Sequence, residues 1–252
     1  MKAMDPRETK LNILLFALPI TLYFNYVNQN HSMAFFSSLI AIMPLAFLMG
    51  RATEEIALRT TESLGGLLNA TFGNAAELII AVLLILEASR VADPETQSFF
   101  IQLVQASLIG SILGNLLLVM GLAFVWGGIH HSEQKYSETQ VSSNGSLLLL
   151  SMIVLVIPTV FHSSVGAEGG DSRLLDLSHI AAAILLLVYG LFLLFQFRTH
   201  VHLFATDGSH HEEPEMTQRD SIILLVVATV LVSWMAEILV HSVEYAAEDF
   251  GL

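Results

Sequence analysis

Long apolar stretches separated by short polar segments run through most of the chain. A membrane-spanning helix needs about 20 mainly apolar residues, and seven stretches approach or exceed that length. The predicted spans are residues 11–27, 33–50, 64–86, 99–126, 147–161, 174–197 and 221–241. The fifth is short, and the second is expected to continue as helix to Glu62. The pattern predicts an all-α polytopic membrane protein with about seven transmembrane helices.

Composition supports this class and narrows the possible partners. Of the 252 residues, 13% are charged and 54% are hydrophobic, whereas soluble domains carry about 25% charged residues. The lipid bilayer is therefore an expected partner. The formal net charge of −13 argues against nucleic acid as a partner. The chain has no cysteine, which excludes disulfides and thiol chemistry.

The basic residues predict the orientation of the spans. With the N-terminus in the cytoplasm, Arg90 and Arg173 are the two basic residues outside, and the other eight lie inside. Cytoplasmic loops of membrane proteins carry the excess of Lys and Arg. We therefore expect a multi-pass integral membrane protein with a cytoplasmic N-terminus, placed in the cell membrane if the source is prokaryotic.

A polar face interrupts the third span. Asn69, Gly73 and Glu77 follow each other at spacing four, and Asn74 precedes Glu77 by three, so all lie on or beside one helical face. Gly and Asn are poor helix formers, which favours a kink or an unwound turn here. Unpaired backbone carbonyls are tolerated at membrane depth only where they line a cavity.

Glu77 is the predicted metal ligand of this segment. Carboxylate, amide and carbonyl oxygens are the ligands that a hard cation prefers. Burial raises the pKa of a carboxyl group, by up to ~3–5 units for a fully buried one, so Glu77 is a candidate to exchange a proton for a metal ion near neutral pH. The alternative is a carboxylate near the membrane surface that extends to water.

The fourth span carries small and polar residues in a second pattern. Ser107, Ser111 and Asn115 form a stripe at spacing four, with Gly110 and Gly114 beside it. Such residues serve either close helix packing or the lining of a cation path, and the sequence leaves both open. The predicted cation- and proton-binding set is Glu77, Asn74, Asn69, Thr71, Gln105, Ser107 and Ser111.

Acidic residues near the second and seventh spans suggest an internal repeat. The residues ATEEIA at 52–57 are weakly repeated as MAEI at 235–238. The second and seventh spans run in opposite directions, as an inverted repeat requires. Glu54, Glu55 and Glu237 are therefore candidate gate or pathway residues. The alternative for Glu55 is a surface ion pair with Arg59 at spacing four.

The segment 198–220 is rich in histidine and acidic residues. His210, His211, Glu212 and Glu213 form a possible regulatory metal loop, although such a segment is also compatible with a solvated loop that binds nothing.

The residues GGLLNATFGNAAELI at 65–79 closely resemble the first repeat motif of the calcium/proton antiporters, the cation exchanger family of the calcium/cation antiporter superfamily. Residues 52–57, 105–115 (QASLIGSILGN) and 237–240 (EILV) are also similar to that family. The resemblance covers essentially the whole chain and implies a sodium/calcium-exchanger-like inverted-repeat fold. It implies that Glu77 is a cation ligand and proton carrier, that Asn74 assists, and that Gln105 lies beside the pathway.

The resemblance also implies a division of the chain and one departure from the family. Residues 1–31 form an extra N-terminal helix, 32–197 the first five-helix repeat, 198–220 the linker, and 221–252 the first helix of an incomplete second repeat. A second Gly-Asn-Ala-Ala-Glu motif is absent from these residues. Calcium takes six to eight oxygens, so we expect a fragment, or a site completed by a second half-transporter chain or a homo-oligomer.

The function that these expectations favour is exchange of Ca²⁺, or a related divalent cation, for H⁺ by alternating access, without a cofactor. A sodium/calcium exchanger and a non-transporting half-transporter subunit are the alternatives. An enzyme is not expected, because the chain lacks His-Glu-x-x-His and Gly-x-Ser-x-Gly motifs.

Overall fold

The computed structural model describes residues 10–60, 62–134, 136–165, 171–201 and 214–251. Over these ranges every regular element is helical. The candidate regulatory residues His210, His211, Glu212 and Glu213 lie outside the described residues. The structure therefore gives no account of the predicted metal loop.

Nine α-helices make up most of the described chain. The first follows a 3₁₀ segment at Lys10–Phe16, and π-helical segments at Tyr23–Asn28, Gly114–Val119 and Phe195–Thr199 extend three of the helices. The α-helices are α1 (Ala17–Leu22), α2 (His31–Ala57), α3 (Glu62–Phe72), α4 (Ala75–Arg90), α5 (Pro94–Leu113), α6 (Met120–His130), α7 (Glu138–Val165), α8 (Asp171–Leu194) and α9 (Gln218–Phe250).

Six helical stretches are long and apolar enough to cross a membrane. They correspond to every predicted span except the third. That span is divided into α3 and α4 by a turn at Gly73 and Asn74, so neither part reaches spanning length by itself. The prediction of an all-helical membrane protein is confirmed, and the third span is a broken helix.

Two helix lengths differ from the predictions. The second helix ends at Ala57 rather than Glu62, because Arg59 and Thr60 make tighter backbone bonds to the Ile56 and Ala57 carbonyls. The fifth span is not short, since α7 has 28 residues. Its polar beginning is accommodated because Ser146 donates its hydroxyl to the Ser142 carbonyl, 2.8 Å away.

The most extensive helix contact joins α2 and α9 in antiparallel orientation. At one end the ring of His31 stacks on Tyr245 with centroids 4.3 Å apart, and at the other end Arg51 contacts Glu215. Small residues between these ends are fully buried, among them Ala41 and Ala236. Small side chains let two helices approach closely without a hydrophobic driving force from water.

The burial patterns of α2 and α9 share seven buried positions when Glu54 is aligned with Glu237. Both glutamates are exposed, although their neighbours on either side are buried. In this alignment Ser38, Ala41, Leu45, Met49, Ala52, Thr53 and Glu55 correspond to Ser221, Leu224, Ala228, Val232, Met235, Ala236 and Ile238, all of them buried. Two antiparallel helices with one shared burial pattern are the arrangement that an inverted repeat produces.

The connection from α4 to α5 is closed by a helix cap. Asp93 accepts hydrogen bonds from the backbone N–H and the hydroxyl of Thr96, both at 2.9 Å. These bonds hold the pKa of the Asp93 carboxyl below its usual value. Nearby, Glu87 lies 3.4 Å from Arg90 and 3.7 Å from His241 of α9. The cap closes the connection to α5, and the Glu87 contact with His241 joins the end of α4 to α9.

The contacts among α2, α4, α5 and α9 belong to one compact unit, which consists of Met1–Ser132 and Glu212–Leu252. Glu133–His211 form a second unit, in which α7 and α8 pack against each other.

Candidate functional site

The site is built around the break between α3 and α4. The Gly73 N–H donates to the Asn69 carbonyl at 2.9 Å, and Asn74 is the residue that caps α4. A Cβ atom at Gly73 would lie 2.7 Å from the Asn69 carbonyl oxygen. Glycine therefore allows the close turn that ends α3, and the predicted interruption of the third span is present.

The break brings opposite ends of two helices together. The last turn of a helix leaves backbone carbonyls without helical partners, and the first turn leaves N–H groups, which favour negative charge. Glu77 lies in the first turn of α4, and the end of α3 precedes the break. Thr71 donates its hydroxyl to the Leu67 carbonyl at 2.8 Å, so its oxygen stays beside its own helix.

Glu77 is joined to α5 by one direct hydrogen bond. The Ser111 hydroxyl donates to Glu77 Oε1 at 2.9 Å. Two members of the predicted binding set, far apart in sequence, are thus neighbours in the fold. Their juxtaposed oxygens, a carboxylate and a hydroxyl, are ligands that a hard cation accepts.

The remaining candidates lie at different distances from this pair along the helices. Asn69 and Asn74 lie on the two sides of the turn, and both are exposed. Ser107 precedes Ser111 by one turn on the same face of α5. Gln105 is rotated about 120° from Ser111 by the helical repeat, so it belongs to another face of α5.

The stripe on the fourth span changes character after Ser111. A Cβ atom at Gly110 or Gly114 would meet no atom within 4 Å, so helix packing at these glycines is not seen among the described residues. A π-helical segment begins at Gly114, and the Met120 N–H reaches back to the Asn115 carbonyl. Asn115 therefore lies in a π-helical turn, whereas Ser107 and Ser111 lie in the regular α-helix before it.

The three candidate gate residues have different surroundings. Glu54 is exposed and lines a cavity of about 710 Å³ together with Arg51 and Glu215. Glu237 is exposed on α9, about 28 Å along the helix from Gln218 at 1.5 Å per residue. It therefore lies at another depth than Glu54, which is close to the start of α9.

Glu55 is buried, with 5% of its surface exposed. The alternative prediction was an ion pair with Arg59 on the protein surface. The ion pair is present at 3.1 Å, but its predicted location at the surface is wrong. Glu55 also accepts the backbone N–H groups of Glu215 at 3.1 Å and Met216 at 3.2 Å. These bonds make Glu55 an anchor for the chain that enters α9.

Sequence reasoning missed the contacts of Arg51, Glu55 and Arg59 with residues 215 and 216. Each contact joins residues about 160 positions apart, so no helical periodicity points to it. The available signal in the sequence was the group of charged residues after Gly50. These residues do not identify which distant residues they contact.

The broken span, its carboxylate and the antiparallel α2–α9 pair define an integral membrane protein of the class with discontinuous helices and inverted repeats. The chain belongs to the sodium/calcium exchanger protein family, whose model matches residues 31–198. The family resemblance stated from the residue motifs is therefore confirmed.

Individual relatives extend the similarity over nearly the whole chain. The Ca(2+)/H(+) antiporter of Aphanothece halophytica is 38% identical over 95% of this chain and 65% of its own length. The vacuolar cation/proton exchanger 3 of Oryza sativa subsp. japonica is 36% identical over 97% of this chain and 59% of its own length. This chain thus spans about three fifths of these relatives.

A solved structure, that of native YfkE, has the same fold. Its TM-score is 0.72 at 33% identity, and the match covers 96% of this chain and 64% of that one. The selenium-substituted Ca2+/H+ antiporter protein YfkE matches with a TM-score of 0.69 at 32% identity. Structure and sequence therefore both establish that this chain has the fold of the membrane proteins with inverted repeats.

Proposed function

We propose that this chain takes part in exchange of Ca²⁺, or a related divalent cation, for H⁺ across a membrane. The observation that carries the proposal is the Glu77–Ser111 contact at a helix break. The printed names of relatives, among them a Ca(2+)/H(+) antiporter and a cation/proton exchanger, support the choice of ions. Both ions are substrates, and the proposal involves no cofactor and no enzymatic step.

Glu77 carries the exchange in this proposal. As a carboxylate it contributes charge and two oxygens to a divalent cation, while Ser111 and carbonyls at the end of α3 add neutral oxygens. When the cation leaves, protonation removes a charge that would be costly at membrane depth. Because cation and proton compete for one carboxylate, the two ions cross in opposite directions when the site opens alternately to each side.

The described oxygens supply only part of a calcium coordination shell. Calcium takes six to eight oxygen ligands. Fewer than that are supplied by the Glu77 carboxylate, the Ser111 hydroxyl and the nearby amide and carbonyl oxygens. We propose that the remaining ligands come from a second repeat, carried by further sequence, by a second half-transporter chain or by a second copy. The division at 32–197, 198–220 and 221–252 belongs to the same proposal.

The test uses everted membrane vesicles from cells that express the full coding sequence. An imposed proton gradient is expected to drive ⁴⁵Ca²⁺ uptake, and dissipating the gradient is expected to stop it. Uptake driven by a sodium gradient instead would favour the sodium/calcium alternative. Absence of uptake together with stable binding to a chain that carries the second repeat would favour the non-transporting subunit.

Replacing Ser111 by alanine is expected to weaken calcium transport without abolishing it. The variant loses one hydrogen bond to Glu77 and one neutral ligand, and a bond to a charged group is worth about 1.5–3 kcal/mol. Since Glu77 and its surroundings are open, we expect the lower end, about a tenfold increase in KM for calcium. Ser89→Ala in α4, whose hydroxyl donates to the Leu86 carbonyl of its own helix at 2.7 Å, is the control. A KM equal in both variants would contradict the role of Ser111.

A cytoplasmic N-terminus can be tested directly because the chain has no cysteine. Cysteine introduced at Gln134, between α6 and α7, is expected to react with an impermeant maleimide in everted vesicles. Cysteine at Glu95, at the start of α5, is expected to react only in intact cells. The reverse pattern would invert the proposed orientation.

A further inference from the structure

The segment that enters α9 is fastened to the end of α2 by three charged side chains. We call residues 214–217 the strap. Arg51 pairs with the Glu215 carboxylate at 2.7 Å. Glu55 accepts both backbone N–H groups of residues 215 and 216, and Arg59 donates to the Met216 carbonyl. The strap is therefore held by its backbone and by one side chain.

These contacts differ in how firmly they hold. The side chains of Glu55 and Arg59 are 7% and 20% exposed, so breaking that pair leaves charge without compensation. The Arg51 and Glu215 side chains are 23% and 60% exposed. An ion pair as exposed as Arg51–Glu215 contributes little to stability and exchanges partners readily. The strap thus has a fixed backbone contact and a releasable side-chain contact.

The releasable contact lies at the cavity that contains Glu54. Arg51, Glu54 and Glu215 line the same space of about 710 Å³, together with Phe47 and Leu58. While Arg51 holds Glu215, two opposite charges cancel at the cavity wall. When they separate, Glu215 is freed and the cavity gains an unpaired carboxylate beside Glu54.

The strap is directly coupled to the long helix that follows it. The Thr217 side chain accepts the Asp220 backbone N–H at 3.2 Å and caps α9. Thr217 belongs to both the strap and the cap, so the strap continues directly into the first turn of α9.

The charges of Arg51 and Glu55 are not repeated in α9. In the alignment of Glu54 with Glu237, Arg51 corresponds to Trp234 and Glu55 to Ile238. At Glu55 the alignment preserves burial but not charge, and at Arg51 it preserves neither, because Arg51 is half-buried and Trp234 is exposed. The charges are present only at the helix end where the strap arrives, which ties them to the strap rather than to the repeated scaffold.

We propose that the Arg51–Glu215 contact is a gate latch that opens and closes during each transport cycle and thereby controls access to the cavity around Glu54. This inference rests on the proposed exchange function. It adds a moving contact, the Arg51–Glu215 side-chain pair, while the strap backbone stays on Glu55 and Arg59. In this proposal Arg51 and Glu215 govern entry to the cavity around Glu54 and are not ligands of the cation.

The test locks the latch. Arg51→Cys and Glu215→Cys are combined in the otherwise cysteine-free chain. A protease site is inserted within residues 202–213. After proteolysis, the two fragments run together on a gel only if the cysteines are cross-linked. Cross-linking with a cleavable bismaleimide is expected to reduce proton-driven ⁴⁵Ca²⁺ uptake at least about tenfold, as expected for a blocked conformational step. Cleaving the linker should restore it. Each single-cysteine variant under the same treatment is the control.

A charge exchange provides the second measurement. Arg51→Glu and Glu215→Arg are each expected to slow uptake about threefold, the range that one exposed ion pair allows, and the double variant is expected to recover. Arg219→Glu, an equal charge change in the first turn of α9, is the matched control. Unchanged uptake after full cross-linking would overturn the gate proposal. Uptake by the double variant that is no faster than uptake by the two single variants would also overturn it. Failure of uptake in the unmodified protein overturns the exchange function instead.

Discussion

Replacing Glu77 by glutamine is expected to abolish proton-driven calcium uptake while the protein remains folded. Glutamine has nearly the same shape and still offers an oxygen to the Ser111 hydroxyl, which donates to Glu77 at 2.9 Å. It has no negative charge for a divalent cation, and calcium affinity depends strongly on the number of charged ligands. It also cannot bind and release a proton. We expect a loss of at least about 100-fold in uptake rate.

The matched control for this prediction is Glu87→Gln on the same helix. Glu87 lies ten positions further along α4, between Arg90 and His241, and is remote from the helix break. Uptake by this control is expected to stay within about threefold of the parent, because the two partners of Glu87, Arg90 and His241, are 66% and 51% exposed. Unchanged uptake in Glu77→Gln would remove Glu77 from the exchange mechanism.

Replacing Glu55 by alanine is expected to cause a large loss of stability. Arg59 would lose its carboxylate partner, and the backbone N–H groups of Glu215 and Met216 would lose their acceptor. Removing one partner of a buried ion pair costs about 3–5 kcal/mol. The measurement is the midpoint of thermal unfolding in detergent, followed by size-exclusion chromatography after heating.

Two further variants separate the causes of that loss. Glu55→Gln keeps an oxygen acceptor but removes the charge, so we expect an intermediate midpoint between the parent and Glu55→Ala. Glu248→Ala changes an exposed carboxylate on α9 and is expected to leave the midpoint nearly unchanged. A Glu55→Ala protein as stable as this control would show that the buried contacts do not hold the strap.

The pattern of apolar residues predicted most of the fold, because spanning helices must be long and apolar in any arrangement. The interruption of the third span was also predictable, since Gly73 and Asn74 disfavour helix in the middle of an apolar run. Glu77 was identified for the same reason: a carboxylate within such a run is rare and costly. These conclusions depend on local sequence only.

What the sequence could not predict depends on contacts between distant residues or on small changes in helix geometry. The burial of Glu55 follows from the strap, which approaches from a point about 160 residues away. The π-helical segment at Gly114–Val119 was not predicted, because its sequence is as apolar as that of an ordinary helix. The end of α2 at Ala57 was missed because charged residues after it are good helix formers.

The break at Gly73 and Asn74 also affects how the chain enters the bilayer during synthesis. The two halves of the third span, α3 and α4, have 11 and 16 residues, and both are shorter than the about 20 residues that cross a membrane independently. Each half also exposes polar backbone at the break, which lipid does not tolerate. Insertion of this span therefore depends on neighbouring helices that arrive before or after it. The helix break at which we propose a cation binds therefore also makes membrane insertion of this span a cooperative event.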